Sequence, residues 1–485
     1  MAYMHLNIRQ IHEALLNNEV TPFQLVEEAL MLAKKDNNNC FEYICEKEAL
    51  EKAKNLDTKK KSNLLYGIPV VIKDNFSTKD IPTTASSNML NNYVPIFSAE
   101  VVNQLEDAGA IIIAKTTMDE LGMGGTGTTG HLGPTFNPWD KTKKHIVGGS
   151  SCGSTAAVAA GIVPFSIGSD TGDSVRKPAS YANLVGFKPT WGRISRYGLI
   201  PFAASLDHVA YLTRNVTDSA IVLNVLAGRD DKDYSSSFNP VEDYTSRLNE
   251  SLKGKRVAFI KEIVESITDK QILNTLNKLV TKLNEAGAVI DIISIDEKIL
   301  DAIYPTYIII SSAEANSNNA NLDGIKFGYK EPGESYEEII INTRTKGFSK
   351  LIKKRFIIGG YSLLKENRDK LYIRAMKSRR IIVDAFNNVF KDHDAILCPA
   401  SPTSAPLFSD SIGAFNNSAA IADNYMAFAN MGGHPSITIP LGFDNGLPFG
   451  INLTAKPFDE ANLLAISQRI EDMTGLNDLV AKEDK

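Results

Sequence analysis

Amphipathic periodicity marks the beginning of the chain. Residues 6–17 and 22–35 carry apolar side chains at the three- and four-residue spacing of an α-helix, so the sequence predicts two helices here. In front of the second helix, Thr21 and Gln24 have the spacing of a capping box, and Pro22 takes the first helical position. These features predict a helix that begins directly after Thr21.

Short apolar runs rich in β-branched residues predict the strands of a sheet. The segment "GIPVVIKDN" predicts a buried strand that ends on Lys73, and residues 111–116 predict another. Between them, residues 98–110 favour a helix capped by Ser98 and stopped by Gly109. Strand–helix–strand order of this kind indicates an α/β layer fold.

The second half of the chain continues the same alternation. Strands are predicted at 256–260 and 289–295 around a helix near 269–286, and together they could form a smaller α/β lobe. The remaining predicted elements are a polar surface connection at 229–253, core strands at 395–400 and 435–443, and a last helix at 458–475.

Composition and charge narrow the possible functions. The 485 residues are 43% hydrophobic, which is normal for a globular protein with a large core. The formal net charge is −5, whereas a chain that clamps nucleic acid by itself usually has a basic surplus. Contact with nucleic acid would therefore need a local patch or a partner.

Cysteine, histidine and the apolar runs indicate a metal-free protein of the cytoplasm. The four cysteines show no CxxC spacing and the seven histidines form no HExxH motif, so we expect no protein-bound metal. The N-terminus lacks the features of a signal peptide, and the apolar run at 156–165 is too short to span a bilayer. A soluble protein in a reducing, cytoplasmic setting is expected.

Residues 122–174 are rich in glycine, serine and threonine and contain two familiar patterns. "GTGTTG" at 125–130 matches a dinucleotide fingerprint, but the prolines that follow argue against the helix which that site requires, so a glycine-rich loop is the better interpretation. "GSSCG" at 149–153 matches a nucleophile elbow centred on Ser151, which would need a histidine from later in the chain. The histidines available for that role are His208, His393 and His434.

Ser174, in "SDTGDSVRKP", has no histidine among its immediate neighbours. It could be a turn residue, a phosphate anchor or a nucleophile. A hydroxyl needs a base to attack at neutral pH, and a lysine can serve when it is uncharged. Lys73 ends an apolar strand, where burial would lower the pKa of its amine, although most lysines at strand ends are simply exposed.

Three segments carry a resemblance to a known family: "GIPVVIKDN", "GGSSCGS" and "GSDTGDSVRKPASYANLVGFKPTWGRIS" resemble the amidase signature family. The resemblance implies a single α/β domain over residues 1–485, with a large mixed central sheet covered by helices on both faces. Its catalytic core would occupy about 60–220 and the smaller lobe about 250–345. It also implies a Ser–cis-Ser–Lys triad, which by position consists of Lys73, Ser150 and Ser174, with Ser151 as a hydrogen-bonding neighbour.

The resemblance further implies an oxyanion hole built from backbone N–H groups just before the nucleophile. These belong to Thr171, Gly172, Asp173 and Ser174, and such donors usually supply the largest electrostatic contribution to catalysis. Asp170, which stands close by, is expected together with the arginine at 176 to support the loop rather than to take part in the chemistry.

Three residues depart from the family pattern. Asp173 replaces the second glycine of "GSDTGGSIR", where a positive φ and a charge near the oxyanion would both be unfavourable unless the carboxylate points toward Arg176 or Lys177. Cys152 replaces a glycine and is expected to be a buried, inert thiol. Tyr211 replaces a usual proline. All three triad positions are intact, so we expect an active enzyme.

Within the family, the chain most resembles the glutaminase subunits of tRNA-dependent amidotransferases. The segments that carry this resemblance are at 198–220, 311–329 and 446–464. The glutamine-binding residues of such subunits fall on the following positions of this chain: Tyr307, Arg355 and Asp423. Arginine suits the α-carboxylate as a bidentate donor, and aspartate suits the α-ammonium.

This resemblance implies a reaction and a set of partners. Ser174 would hydrolyse glutamine and release ammonia, which a B subunit would use, together with ATP and magnesium, to convert Glu-tRNA(Gln) to Gln-tRNA(Gln). A small C subunit would complete a heterotrimer, and this chain itself would bind no cofactor. Two alternatives stay open: a stand-alone amidase for another small amide, and a catalytically silent scaffold subunit.

Overall fold

A computed structural model of the protein describes residues 2–411 and 421–481. Its strands form one mixed sheet of eleven. The strands are β1 (Phe41–Ile44), β2 (Pro69–Lys73), β3 (Ile111–Thr116), β4 (Phe165–Asp170), β5 (Val185–Lys188), β6 (His208–Thr213), β7 (Arg256–Ile260), β8 (Val289–Ile293), β9 (Ala395–Pro399), β10 (Ser436–Asp444) and β11 (Leu447–Thr454).

The strand order across the sheet is β1-β3-β2-β4-β6-β5-β10-β11-β9-β7-β8. β2 is parallel to both of its neighbours, β3 and β4, so these strands end at the same edge of the sheet. Lys73, Thr116 and Asp170 are the last residues of the three strands. The carboxyl ends of parallel strands commonly form ligand sites in α/β folds, which makes this edge the place to look for function.

Nineteen helices lie in the described part of the chain. In order, the helices are α1 (Ile8–Leu16), α2 (Pro22–Lys34), α3 (Glu46–Lys54), α4 (Glu100–Asp107), α5 (Cys152–Ala159), α6 (Arg176–Tyr181), α7 (Val216–Leu226), α8 (Lys261–Glu265), α9 (Lys270–Glu285), α10 (Glu297–Asp301), α11 (Ile303–Asn318), α12 (Tyr336–Gly347), α13 (Lys350–Leu363), α14 (Lys365–Arg368), α15 (Tyr372–Val389), α16 (Phe408–Ser411), α17 (Ile421–Asn424), α18 (Ala427–Gly432) and α19 (Glu460–Thr474). Within residues 2–411 and 421–481, no helix has the length and apolar character needed to cross a membrane.

Both faces of the central sheet are covered. Every residue of β2 to β6 is buried, although successive side chains of a strand point to opposite faces. Helix α2 packs against β2 and β3, and α5 packs against β2 and β4. The expected α/β fold, a large mixed sheet covered by helices on both faces, is confirmed.

Several local predictions are also confirmed. Helix α2 begins at Pro22, and the Thr21 and Gln24 side chains form the predicted capping box. The buried strand β2 ends on Lys73, and β3 spans the predicted residues 111–116. The capping box depends on contacts within one segment, and the two strands show in their runs of β-branched apolar residues, so the sequence pattern is sufficient to predict these elements.

The predicted cap of α4 is wrong. The helix begins at Glu100 with Ala99 as its N-cap, and no side chain caps it. The Ser98 hydroxyl instead accepts a hydrogen bond from the Lys79 backbone N–H at 3.0 Å, because another segment of the chain packs there. Gly109 follows the helix with a φ of 88°, as expected of a glycine that ends a helix.

The strands predicted around the helix near 269–286 are present as β7 and β8. They pair in parallel with each other, and β7 also pairs in parallel with β9. Both strands therefore extend the central sheet at the end opposite β1.

Candidate functional site

Lys73 is surrounded by hydroxyl groups at the edge of the sheet where β2 and β4 end. Its side chain is fully buried. The Nζ atom lies 2.7 Å from Ser150 Oγ, 3.0 Å from Ser151 Oγ and 2.9 Å from Ser169 Oγ. Ser150 and Ser151 precede α5, whereas Ser169 belongs to β4. Three separate segments of the chain thus meet at one amine.

Burial lowers the pKa of the Lys73 amine from 10.5 to about 8. Desolvation disfavours the charged ammonium, whereas Cys152 and the carboxylates of Asp119, Asp170 and Asp207 act in the opposite direction without cancelling it. At pH 7 roughly a tenth of the molecules would then carry a neutral amine. A neutral amine can accept a proton, so Lys73 is suited to act as a base.

Backbone hydrogen bonds hold the two serines in front of α5. The peptide bond between Gly149 and Ser150 is cis. The Asp119 N–H donates to the Ser150 carbonyl at 3.1 Å, and the Ser151 N–H donates to the Ser174 carbonyl at 3.1 Å. The second bond ties the loop that carries Ser150 to the loop that carries Ser174.

Ser174 lies between β4 and α6 and is only 3% exposed. Among the hydrogen bonds between described residues, none joins Ser174 Oγ to Ser150 Oγ. A side-chain hydrogen bond therefore joins Lys73 to Ser150. Ser174 is held beside them by the backbone hydrogen bond between its carbonyl and the Ser151 N–H.

A buried ion pair supports the turn formed by residues 171–174. Arg176 Nη2 lies 2.9 Å from Asp170 Oδ1, and both side chains are fully buried. Arg176 Nη2 also donates to the Gly172 carbonyl at 2.6 Å, and Asp170 Oδ2 accepts from the Val175 N–H at 3.0 Å. Although burial raises the pKa of Asp170, Arg176 brings it well below the usual range. Asp170 and Arg176 therefore support the loop, as expected.

Replacing Arg176 by methionine is expected to reduce the free energy of unfolding by about 3–5 kcal/mol, because it leaves the Asp170 carboxylate buried without its partner. Arg380→Met is the matched control. Arg380 pairs with Asp384 but is 77% exposed, so we expect a change of about 0.5 kcal/mol or less. Urea denaturation measures both variants, and equal losses in the two would contradict the structural role of Arg176.

The first residue of the turn is tied to a second buried carboxylate. Thr171 Oγ1 donates to Asp207 Oδ1 at 2.7 Å. Asp207 Oδ2 accepts from the backbone N–H groups of Phe202 and Ala203, each at 3.0 Å. Burial raises the pKa of Asp207 to about 6. Asp207 thus positions the beginning of the segment predicted to bind an oxyanion.

Asp173, which replaces a glycine, has neither the positive φ nor the unpaired charge that would be unfavourable at this position. Its φ does not lie in the left-handed region. Its Oδ2 atom lies 2.8 Å from Lys177 Nζ, one helical turn further along the chain. The carboxylate thus points toward a cationic partner, one of the two that the sequence offers.

A cavity of about 720 Å³ opens beside this turn. Gly172 and Asp173 line it, together with all three residues predicted to bind substrate, Tyr307, Arg355 and Asp423. A Cβ atom on Gly172 would lie 3.1 Å from the Tyr307 ring, so the absence of a side chain there lets the ring approach the turn. The structure therefore brings the five predicted residues together around one cavity.

Two neighbouring helices supply Tyr307 and Arg355. Tyr307 lies on α11 and Arg355 on α13, and the two helices pack together. The Arg355 guanidinium carbon lies 5.9 Å from the Tyr307 ring centroid, and Arg355 Nη1 lies 3.4 Å from Ser311 Oγ. Arg355 is buried in the protein, so its charge faces the cavity region rather than bulk solvent.

The glycine-rich pattern at 125–130 forms a loop folded around Asp119. The Asp119 carboxylate accepts from four consecutive backbone N–H groups, those of residues 126–129, at 3.0–3.2 Å. No helix begins between residues 123 and 151, all of which the structure describes. A dinucleotide fingerprint opens a helix, so the glycine-rich loop is the correct interpretation.

The elbow pattern around Ser151 is not accompanied by a histidine. Ser151 Oγ is hydrogen-bonded to Lys73 and to the Ser169 carbonyl. The histidines considered for it bond elsewhere: His208 Nδ1 lies 2.7 Å from Leu206 O, His393 Nε2 lies 3.1 Å from Asp291 Oδ2, and His434 Nε2 lies 2.9 Å from Asn387 Oδ1. Lysine, rather than histidine, is the basic group at these serines.

The other two departures from the family pattern are accommodated in the core. Cys152 is buried, and burial raises the pKa of its thiol to about 12, which makes it unreactive. Tyr211 is also buried, and its hydroxyl donates to the Ser219 carbonyl at 2.9 Å.

Within residues 2–411 and 421–481, no group of three or more histidine, cysteine, aspartate or glutamate side chains is placed to hold a metal ion.

Sequence reasoning did not assign roles to three residues that contact the site. Ser169 lies close to the motif around Ser174, but nothing in the motif shows where its side chain points. Tyr304 lines the cavity and stands three residues before Tyr307, so helical spacing could have indicated it. The third, Asp207, has no local signal because its partners come from two other segments.

Comparison with known proteins identifies the family of the chain. Residues 24–464 match the protein family described as Amidase. The chain is 39% identical over 482 residues to the A subunit of glutamyl-tRNA(Gln) amidotransferase from Lawsonia intracellularis, covering 97% of this chain and 98% of the relative. The corresponding subunit of Pediococcus pentosaceus is 37% identical over 480 residues, covering 98% of each chain.

A solved structure is similar over the same length. The crystal structure of the glutamyl-tRNA(Gln) amidotransferase A subunit from Thermotoga maritima has a TM-score of 0.81 and 32% identity, covering 97% of this chain and 95% of that one. The family match contains the segments that carry Lys73, Ser150 and Ser174. Because the family match and the relatives both extend over nearly all of its residues, the chain belongs to the amidase family.

Proposed function

We propose that this chain is the glutamine-hydrolysing subunit of a tRNA-dependent amidotransferase and that Lys73, Ser150 and Ser174 carry the reaction. The observation that carries the proposal is the buried amine of Lys73, 2.7 Å from Ser150 Oγ. The turn that precedes Ser174 lines, through Gly172, the same cavity as Tyr307 and Arg355. The relatives named above supply the substrate, since each is the A subunit of a glutamyl-tRNA(Gln) amidotransferase.

In the proposed first step, neutral Lys73 takes the proton of Ser150 while the Ser150 oxygen takes that of Ser174. The Ser174 oxygen forms a bond to the side-chain carbonyl carbon of glutamine. The resulting oxyanion accepts hydrogen bonds from the backbone N–H groups of Thr171, Gly172 and Asp173 and from that of Ser174. Proton transfer between the two serines requires their hydroxyls to approach, and catalytic hydrogen bonds often tighten only when substrate binds.

In the proposed second step, the carbon–nitrogen bond breaks and the proton held by Lys73 returns through Ser150 to the leaving nitrogen. Ammonia departs and leaves a γ-glutamyl ester on Ser174. Water then hydrolyses this ester, which releases glutamate and restores the Ser174 hydroxyl. Each proton taken up by Lys73 is thus returned within one cycle.

Substrate recognition is proposed to use the charged groups of the cavity. Arg355 would hold the α-carboxylate of glutamine with two parallel hydrogen bonds, and Asp423 would hold the α-ammonium. Tyr307 lies between Arg355 and Gly172, where its ring can direct the side-chain amide toward the turn. The cavity volume of about 720 Å³ is ample for one amino acid.

Replacing Arg355 by lysine is expected to raise the KM for glutamine about tenfold or more with a smaller change in kcat, because lysine cannot make the bidentate contact. Arg344→Lys is the matched control, since Arg344 also lies over an aromatic ring, that of Phe356, but does not line the cavity. Ammonia release at several glutamine concentrations measures both variants. An unchanged KM in Arg355→Lys would show that the carboxylate is held elsewhere.

The partners are proposed from the relatives' role. A B subunit would use ATP and magnesium to activate the glutamate of Glu-tRNA(Gln) and would aminate it with the ammonia released here, and a small C subunit would complete the heterotrimer. The net charge of −5 is consistent with tRNA being held mainly by the B subunit. Because charged tRNA is the acceptor, the complex is proposed to act in the cytoplasm.

Ammonia release tests this function directly. The chain is assayed with glutamine, with and without the B and C subunits and Glu-tRNA(Gln), and we expect turnover that the complete complex increases. Simple aliphatic and aryl amides serve as comparison substrates. Fast turnover of those amides with poor turnover of glutamine would favour a stand-alone amidase. Glutamine-dependent tRNA amidation that survives Ser174→Ala would favour a scaffold.

A further inference from the structure

Lys177 joins two carboxylates on the wall of the cavity. Its Nζ atom lies 2.8 Å from Asp173 Oδ2 and 3.0 Å from Asp423 Oδ1. It also donates to the Asp423 backbone carbonyl at 2.6 Å. All three residues line the cavity, so this ion-pair cluster faces whatever binds there. We refer to Asp173, Lys177 and Asp423 as the charge cluster.

The charge cluster carries one excess negative charge. Although burial lowers the pKa of Lys177, Asp173 and Asp423 raise it well above its ordinary value, so the amine stays protonated. Burial raises the pKa of Asp173, and the Lys177 ammonium acts against that rise. With both carboxylates ionised, two carboxylates and one ammonium give the cluster a net charge of −1. Because the three side chains are largely withdrawn from solvent, this charge is poorly screened and acts on a ligand in the cavity.

We propose that Asp173 and Lys177 set the charge of the ammonium subsite as a pair and so determine specificity: Lys177 binds Asp423 and would neutralise it, and Asp173 cancels the charge of Lys177. This inference rests on the proposed function, in which Asp423 receives the α-ammonium of glutamine. Lys177 alone would neutralise Asp423 and remove the attraction for an ammonium. With Asp173 present, the cluster keeps one negative charge for the substrate.

The pair also explains why this chain departs from the family at residue 173. Glycine is usual there, and an aspartate beside an oxyanion site is unfavourable on its own. A lysine one helical turn further on, paired with Asp423, requires a second carboxylate to restore the charge of the subsite. Asp173 is within reach because residues 173 and 177 are spaced i, i+4 across the beginning of α6.

Two substrates separate ammonium recognition from catalytic power. L-Glutamine carries the α-ammonium, whereas 4-carbamoylbutanoate has the same amide and carboxylate but no amino group. The quantity measured is the ratio of kcat/KM for glutamine to that for 4-carbamoylbutanoate. Any loss of catalytic power that affects both substrates equally cancels in this ratio.

Two variants break the same ion pair with opposite effects on charge. Asp173→Asn leaves the cluster neutral, so we expect the ratio to fall about tenfold, mainly through the KM for glutamine, which corresponds to about 1.4 kcal/mol. Lys177→Gln leaves two negative charges, so the ratio is expected to stay the same or rise. The double variant Asp173→Asn/Lys177→Gln restores a charge of −1, and we expect its ratio to return to within about threefold of the wild-type value.

These outcomes distinguish the inference from a purely structural ion pair and from the proposed function. If both single variants lower the ratio alike, or if the double variant is no better than Asp173→Asn, the charge role is overturned. If the wild-type complex hydrolyses neither substrate, or prefers 4-carbamoylbutanoate, the proposed function itself fails. Should asparagine disturb the turn, Asp173→Gly provides the same loss of charge with the residue usual in the family, and the same fall in the ratio is expected.

Discussion

Replacing Ser174 by alanine is expected to reduce kcat for glutamine hydrolysis by at least about a thousandfold, because no other hydroxyl can form the γ-glutamyl ester in its place. The KM is expected to change little, since the contacts proposed for glutamine come from Arg355 and Asp423. Stability should also be nearly unchanged, because the substitution removes a single oxygen. Ammonia release by the purified chain, with and without the proposed B and C subunits, measures the rate, and circular dichroism checks the fold.

Ser151→Ala is the matched control for this prediction. Ser151 is buried and contacts Lys73 as Ser150 does, but the proposed reaction gives it no covalent or proton-transfer step. We expect a loss of about tenfold or less, caused by one missing hydrogen bond to Lys73. A larger loss in Ser151→Ala than in Ser174→Ala would indicate that Ser151 is the nucleophile.

Replacing Lys73 by methionine is expected to reduce kcat by about 10²–10⁴-fold, the usual contribution of a general base. Lys73→Arg is the sharper test, because arginine keeps a charged donor in the site but cannot give up its proton at any accessible pH. Both variants should show this loss in ammonia release while they remain folded. Substantial activity in Lys73→Arg would contradict the role of an uncharged amine.

The pH profile of the wild-type enzyme tests the same amine without a substitution. Burial lowers the pKa of Lys73 to about 8, and only the deprotonated form can act as the base. We therefore expect kcat/KM for glutamine to rise with pH and to approach a plateau above about pH 8. A profile that is flat between pH 6 and 9, or that falls over that range, would exclude Lys73 as the base in the free enzyme.

Lys73 is also expected to make stability depend on pH in a definite direction. Its pKa is lower in the folded protein than the ordinary value of 10.5, so folding releases a proton between these values. The free energy of unfolding should therefore rise as pH increases from about 8 to 10.5, and below pH 8 the buried amine should cost stability. Lys73→Met removes this dependence, which urea denaturation at several pH values can detect.

The sequence was sufficient for elements whose signal lies in the pattern of neighbouring residues. The capping box of Thr21 and Gln24 and the apolar strand that ends on Lys73 both lie at their predicted positions. The Ser98 cap failed because the hydroxyl bonds to Lys79, on another segment. Strand β4, "FSIGSD", was not predicted, because four of its six residues are polar or glycine and give no apolar pattern. Its two serines find their hydrogen-bond partners in other segments of the fold.

The candidate site likewise combines features that the local sequence indicates with contacts that only the folded chain shows. Family resemblance was needed to select Lys73 among the many lysines and Ser150 from two adjacent serines. Neither pattern nor resemblance indicated that Asp207 positions Thr171, because that contact joins residues 36 positions apart. The partner of Asp173 could be narrowed to two cations from local spacing, and the structure shows that it is Lys177.

By itself, the sequence determined the α/β alternation and the family, and it indicated the candidate site residues, because periodicity and motif identity are properties of neighbouring positions. Only the tertiary structure decided the state of those groups. The amine of Lys73 has a lowered pKa because strands and loops distant in sequence exclude water from it. Desolvation and charge pairing depend on what surrounds a side chain in space, and the linear order of residues does not contain that information.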